Sequence, residues 1–98
     1  MDVVYLIQDV TFVWEPRKAL ANIRKHGVAF EKACDVFFDP FLYPSPSDIR
    51  NGEERQRVTG LTSDWQLLVV AFTHLEDAIR IISARKATPL ERQRYETQ

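Results

Sequence analysis

A single cysteine, Cys34, removes two classes of protein at once: no intramolecular disulfide can form, and no cysteine-rich zinc site can be built. Cys34 falls on the apolar face of a predicted helix, which gives it a packing role. No run of apolar residues approaches the roughly 18 needed for a membrane-spanning helix. The first ten residues include Asp2 and Asp9 and have no basic stretch, so they do not read as a signal peptide. A cytosolic location is the expectation. Glycine is scarce, with only three residues. Net charge is also nearly absent at −1, which argues against a generally basic nucleic-acid binder.

What is present is a globular composition: 45% apolar residues in a chain of 98, enough for one core and one domain spanning 1–98. The charges are unevenly distributed. Arg17, Lys18, Arg24, Lys25 and Lys32 form one basic stretch, and Arg80, Arg85, Lys86, Arg92 and Arg94 form another. Asp35, Asp39, Asp48, Glu53 and Glu54 gather between them. A local basic face inside a near-neutral protein is compatible with a phosphate-binding cleft. For any one of these cations, the plainer alternative is solvated surface.

The periodicities give an element order. Val3 to Ile7 and Thr11 to Trp14 are rich in β-formers and make either a hairpin or one strand interrupted at Gln8-Asp9. Pro16 suits the first turn of a helix, and Gly27 suits its left-handed end. A second helix starts near Ala29 or Phe30. There Phe30, Ala33, Cys34, Phe37 and Phe38 repeat with the spacing of one buried face, and Pro40 ends the helix. Phe41 to Gly52, with Pro44, Pro46, Asp48 and Asn51, reads as a loop. Strands follow at 55–61, 65–73 and 78–84. The run 67–72 is apolar on both faces and therefore central, and polar links favour antiparallel hairpins. Thr88-Pro89-Leu90-Glu91 is a capping box opening a last helix. The expected fold is α+β with order β-α-α-β-β-β-α: an antiparallel sheet, two N-terminal helices on one face and a short C-terminal helix.

Ile79 to Lys86 carries the strongest functional signal. Its aliphatic residues can be buried while Arg80, Arg85 and Lys86 stay near the end of a sheet. Guanidinium groups grip phosphate because their planar fork matches its oxygens and keeps its charge. Strict alternation puts residues five apart on opposite faces, so Arg80 and Arg85 can share one phosphate only if the strand ends or bulges near Ala84.

Ordered blocks along the chain resemble the BrnT family of small ribonuclease toxins from type II toxin–antitoxin modules. They are Trp14-Glu15-Pro16 with Lys18, Asn22 with Lys25-His26-Gly27-Val28 and Phe30, Glu54-Arg55 ahead of Gly60, Val69-Val70, Arg80 to Arg85, and Ala87-Thr88 with Glu91-Arg92 and Tyr95. Glu15 and Ala29 depart from the pattern and predict weaker helix starts. The resemblance implies a RelE-like fold and an RNA substrate. It also implies an antitoxin, BrnA-like with a ribbon-helix-helix domain, through which DNA is contacted only indirectly. No cofactor, metal or membrane enters this expectation.

Metal-independent RNA cleavage by 2′-hydroxyl attack needs a base, a neutraliser of phosphorane charge and an acid. The expected catalytic residues are His26, Glu54, Arg80 and Arg85, and the expected RNA-binding residues are Lys25, Arg55, Lys86 and Tyr95. His26 suits proton transfer because imidazole exchanges its proton near neutrality. Its alternative is a helix-end histidine bonded to carbonyls. Glu54 is either a base or the partner of a nearby cation. Arg55 and Arg57 share a face, and Arg55 is preferred for phosphate because it belongs to the matched pattern. Tyr95 either meets RNA or packs. Arg94 is expected to be dispensable. The competing reading is a non-catalytic protein-binding module of a toxin–antitoxin-like complex.

Overall fold

The computed structural model describes the backbone of residues 1–98 and all side chains but those of Asp48 and Arg50. Its elements are β1 (Val3–Ile7), β2 (Val10–Trp14), α1 (Pro16–His26), α2 (Phe30–Cys34), a 3-10 helix (Asp35–Phe38), β3 (Tyr43–Arg50), β4 (Glu53–Leu61), β5 (Leu67–His74), β6 (Ile79–Lys86) and α3 (Pro89–Glu96). The strands form one sheet in the order β1-β2-β6-β5-β4-β3. All neighbours are antiparallel except β2 and β6, which pair in parallel through Phe12–Ile79 and Val13–Arg80.

The sheet decides one open alternative and departs from the sequence expectation elsewhere. Of the two readings of the N-terminal segment, the hairpin holds, because Gln8 and Asp9 both take positive φ (49° and 66°), the geometry that matches the twist of paired strands. The segment read as a loop contains the strand β3. Its two prolines, Pro44 and Pro46, are tolerated because β3 is an edge and lacks a partner on one side. The Asn51-Gly52 pair, at φ 52° and 76°, closes a tight hairpin into β4. The observed order is therefore β-β-α-α-β-β-β-β-α, with six strands in a mostly antiparallel sheet.

Helix starts follow the sequence closely. Neither Glu15 nor Ala29 makes a side-chain cap, whereas Thr88 and Glu91 form the full reciprocal box. The second helix is shorter than its apolar spacing predicts: after Cys34 the chain tightens into the 3-10 helix. That change turns Val36 fully inward, against β4 at Gly60. A Cβ on Gly60 would lie 2.7 Å from the Val36 Cβ, so no larger residue fits without movement.

The core lies between the helices and one face of the sheet. It joins Phe12, Trp14, Phe30, Ala33, Cys34 and Val36 to the inward positions Val58, Leu68, Val70, Phe72, Ile81 and Ala84. Alternate strand residues consequently face away from it. α3 approaches that opposite side, with Glu91 and Arg94 near Arg57 and Thr59, so the helices do not all pack on one face.

Candidate nucleic-acid interface

The face turned away from the core is a grid set by strand register. Arg57, Ala71 and Ser83 form one row across β4, β5 and β6, and Thr59, Val69 and Arg85 form the next. Around this floor, Arg55, Arg57 and Arg85 line a cavity of about 210 Å³ with Val69, Ala71, Ile82 and Ser83. A neighbouring cavity of about 220 Å³ contains Tyr43, Ser45, Thr59, Glu91 and Arg94, with Arg57 as the shared wall. The two cavities thus bring four arginines to one side of the sheet.

β6 reaches this arrangement through an irregularity. Its register to β5 shifts between Ala71–Ser83 and Phe72–Ile81, leaving Ile82 as an extra residue. A bulge of one residue reverses alternation beyond it. Ile81 and Ala84 can therefore both point into the core, while Arg80, Ser83 and Arg85 all face outward. Arg80 and Arg85 nevertheless remain two rows apart, on the order of 13 Å at strand spacing. They do not meet at one point.

Each of these two arginines has a carboxylate partner. Arg85 donates from Nη1 and Nη2 to Glu91 at 2.7 and 2.9 Å. Those bonds pull the Glu91 carboxyl down to about 2, overriding the upward push of burial. Arg80 donates from Nη2 to Asp2 at 2.8 Å, in an exposed pair. Among the described residues, two buried side-chain polar atoms have no hydrogen-bond partner: Arg55 Nε and Thr73 Oγ1.

The other expected residues are placed as follows. α1 advances alongside β6, since Trp14 precedes it at the level of Ile81 and its Asn22 is bonded to Ala84. Lys25 and His26 follow Asn22 by about 4.5 and 6 Å along the helix axis, in the last turn of α1. His26 is half-buried and Lys25 exposed. Lys86 pairs with the core residue Leu68 and so faces the helix side, away from Arg85. Glu54 accepts a hydrogen bond from Ser47 Oγ at 3.2 Å, in the β4 alternation that includes the core residue Val58, away from Arg55 and Arg57. The Tyr95 hydroxyl donates to Asp39 Oδ2, and Asp39 also accepts from the backbone of Phe41 and Leu61. Tyr95 thereby fastens α3 to the end of β4. Burial, then the Asp39 carboxylate, raises its phenol to about 12.

Of the eight side chains expected at the site, the structure joins Arg55 and Arg85 in one cavity and sets Lys25 and His26 in the last turn of α1, the helix that Asn22 ties to β6 at Ala84. It separates Arg80, Glu54, Lys86 and Tyr95 from that cavity. It adds Arg57, Ser83, Glu91 and Arg94. Arg57 was visible as a same-face neighbour of Arg55. Glu91 was already accounted for as a cap, and nothing in its spacing marks it as the partner of Arg85.

Comparison with known proteins supplies the family. No curated protein matches the chain. The crystal structure of the Brucella abortus ribonuclease toxin BrnT superposes with a TM-score of 0.52 at 22% identity, covering 76% of this chain and 92% of that one; at this identity the likeness speaks for the fold. The family model described as the ribonuclease toxin BrnT of type II toxin–antitoxin systems matches residues 14–91. The chain belongs to the BrnT family of ribonuclease toxins of type II toxin–antitoxin systems.

Proposed function

We propose that this toxin is a metal-independent endoribonuclease that cuts RNA by attack of a 2′-hydroxyl on the adjacent phosphodiester and so inhibits translation. The observation that carries the reading is the cavity walled by Arg55, Arg57 and Arg85 on a sheet face left open by the core helices. In this reading Arg57 and Arg85 neutralise the charge that grows on the non-bridging oxygens as the phosphorane forms. Arg55 adds its positive charge at the wall of the same cavity. The attacking oxygen loses its proton, the bond from phosphorus to the 5′-oxygen breaks, and that oxygen takes up a proton. The products are a 2′,3′-cyclic phosphate and a 5′-hydroxyl. His26 is the proposed proton-transfer group and Lys25 an RNA contact.

The same reading includes a RelE-like fold and a BrnA-like antitoxin with a ribbon-helix-helix domain, both implied by the family resemblance. It leaves Glu54, Lys86 and Tyr95 outside the reacting group, because their side chains are directed elsewhere.

The test uses the purified chain and a single-stranded RNA in the presence of a chelator. Cleavage to a cyclic phosphate is expected, and a 2′-deoxy substitution at the scissile position should abolish it. Arg57→Ala, Arg85→Ala and His26→Ala should each lower the rate by about 10²-fold or more. Full activity in a folded Arg57→Ala, Arg85→Ala double variant would overturn the assignment.

A further inference from the structure

One row along from the arginine cavity, the same face carries a second set of donors. Thr73 pairs with Arg80 across β5 and β6. The β4–β5 register, carried one residue past Gln56–Phe72, sets Arg55 opposite Thr73. Arg55, Thr73 and Arg80 therefore form a row across three strands. The bulge at Ile82 keeps this row on the same side as Arg57, Ser83 and Arg85.

Two observations mark the row as a ligand site. Thr73 is only 5% exposed, yet its hydroxyl is unpartnered. With Arg80 it lines a broad cavity of about 520 Å³ at the end of the sheet, bounded also by Glu53, Glu54, Gln56 and His74, while Arg55 lines the adjoining arginine cavity. The Arg55 Nε–H is the other buried atom lacking a partner. Buried polar groups are nearly always paired, so an unpaired hydroxyl and N–H beside a cation call for an acceptor. An anionic oxygen suits all three.

Asp2 already puts a carboxylate oxygen on Arg80 Nη2, which shows that an oxyanion fits there. That pair is exposed and correspondingly easy to displace. Glu53 and Glu54 on the cavity rim oppose a free, doubly charged phosphate more than a singly charged diester delivered by a bound strand.

We propose that Arg80, Thr73 and the Arg55 Nε–H form a second phosphate subsite, taking the phosphodiester next to the one held at Arg57 and Arg85. The inference rests on the ribonuclease reading and adds a register to it. The Arg80 row lies two strand residues from the Arg57 row, about 6.6 Å, and a further two from Arg85; the step to Arg57 is one that successive phosphates of an extended RNA can match. Arg80 thereby acts in binding, one linkage from the reacting bond.

The experiment titrates the full chain with fluorescent, 2′-O-methylated oligoribonucleotides of increasing length, with cleavage of an unmodified RNA followed in parallel. Wild type should gain about tenfold in affinity when the linkage that reaches the subsite is added. Arg80→Ala and Thr73→Val should lose that gain, and Thr73→Ser should keep it. Arg80→Ala should also reduce the slope of log affinity against log salt by about 0.7, the share of one single-strand phosphate contact. Asp2→Asn should tighten binding, and inorganic phosphate should compete poorly. Valine is shaped like threonine and favours strands, so Thr73→Val keeps the test alive if Arg80→Ala misfolds. A wild type that cuts RNA while both variants retain the length gain overturns the subsite alone. A wild type that neither cuts nor binds overturns both readings.

Discussion

Glu91 holds Arg85 by both terminal guanidinium nitrogens, and its Oε1 also accepts the Thr88 backbone N–H at 2.8 Å. One carboxylate thus caps α3 and fixes the orientation of an arginine that lines the proposed phosphate cavity. The link is electrostatic and therefore depends on pH. The Glu91 carboxyl lies at about 2 when folded, against an ordinary 4.5. A depressed folded value means that the ionised group stabilises the fold. Its contribution is full above about pH 4.5 and is lost as pH falls toward about 2. Glu91→Gln keeps an acceptor for Thr88 but removes the charge. It should cost about 1 kcal/mol at neutral pH, a value limited by partial exposure of the pair. Urea unfolding of both proteins should show this gap closing in acid; identical midpoints at neutral pH would refute the argument.

Gly60 makes a second, independent prediction. The Cβ of alanine there would meet Val36 Cβ at 2.7 Å, with Val36 O and Leu42 Cδ1 each at 3.0 Å. Leu42 Cδ1 can rotate aside, but the Val36 Cβ and carbonyl oxygen cannot. Gly60→Ala should therefore destabilise by about 1–3 kcal/mol, the usual cost of overpacking. A thermal scan with an unchanged midpoint would show that the 3-10 helix can slide away at no cost.

These particulars show where the sequence is informative. Pro16, Gly27, Thr88 and Glu91 mark helix ends through local chemistry, so α1 and α3 are readable without knowledge of the fold. The central position of β5 follows from its apolar run. β3 is hidden because Pro44 and Pro46 look like loop residues, and only the absence of a partner on one side makes them acceptable in a strand. The Ile82 bulge is equally hidden: it depends on which residues β5 presents across the ladder. For the candidate site, the residue types were legible and their grouping was not. Arginines on β4 and β6 become neighbours only because β5 lies between the two strands.

Tyr95 can be followed directly by absorbance. Burial and the Asp39 carboxylate raise its phenol to about 12 from an ordinary 10. A raised folded value means that the neutral phenol is the stabilising form. Its contribution is full below about pH 10 and fades as pH rises toward about 12. Tyr95→Phe should remove a tyrosine transition near pH 12 and cost about 1–2 kcal/mol at neutral pH, the worth of a hydrogen bond to a charged acceptor. A wild-type titration in which Tyr95 ionises at the ordinary value of 10 would contradict the Asp39 contact.

Cys34 offers a probe of opening. Burial, reinforced by the negative charges of Glu31 and Asp35, raises its thiol to about 12. The reactive thiolate is therefore scarce at neutral pH, and the group is enclosed in the core. A thiol reagent should leave the folded protein unlabelled and react fully once urea unfolds it. Rapid labelling of the native protein would mean that α2 separates from the sheet far more often than its packing implies.

Asn22 joins two of the stretches that resemble the toxin family. Its amide donates to Val28 O at 2.9 Å and to Ala84 O at 2.8 Å, and its carbonyl accepts from Ala84 N at 3.1 Å. The side chain takes the place of a neighbouring strand where β2 has diverged from β6. It ties α1, which ends in Lys25 and His26, to the strand segment that ends in Arg85. Asn22→Ala leaves two buried carbonyls and one N–H unpaired. Asn22→Asp retains the acceptor but sets negative charge against those same carbonyls. Each should destabilise by about 2–4 kcal/mol, with aspartate at least as damaging as alanine. Amide exchange at Ala84 should accelerate in both variants, and RNA cleavage should fall further than the unfolded fraction explains, because the angle between α1 and β6 is then no longer fixed. Cleavage that declines only in proportion to folded protein would reduce Asn22 to a stability residue and remove His26 from the proposed alignment with Arg85.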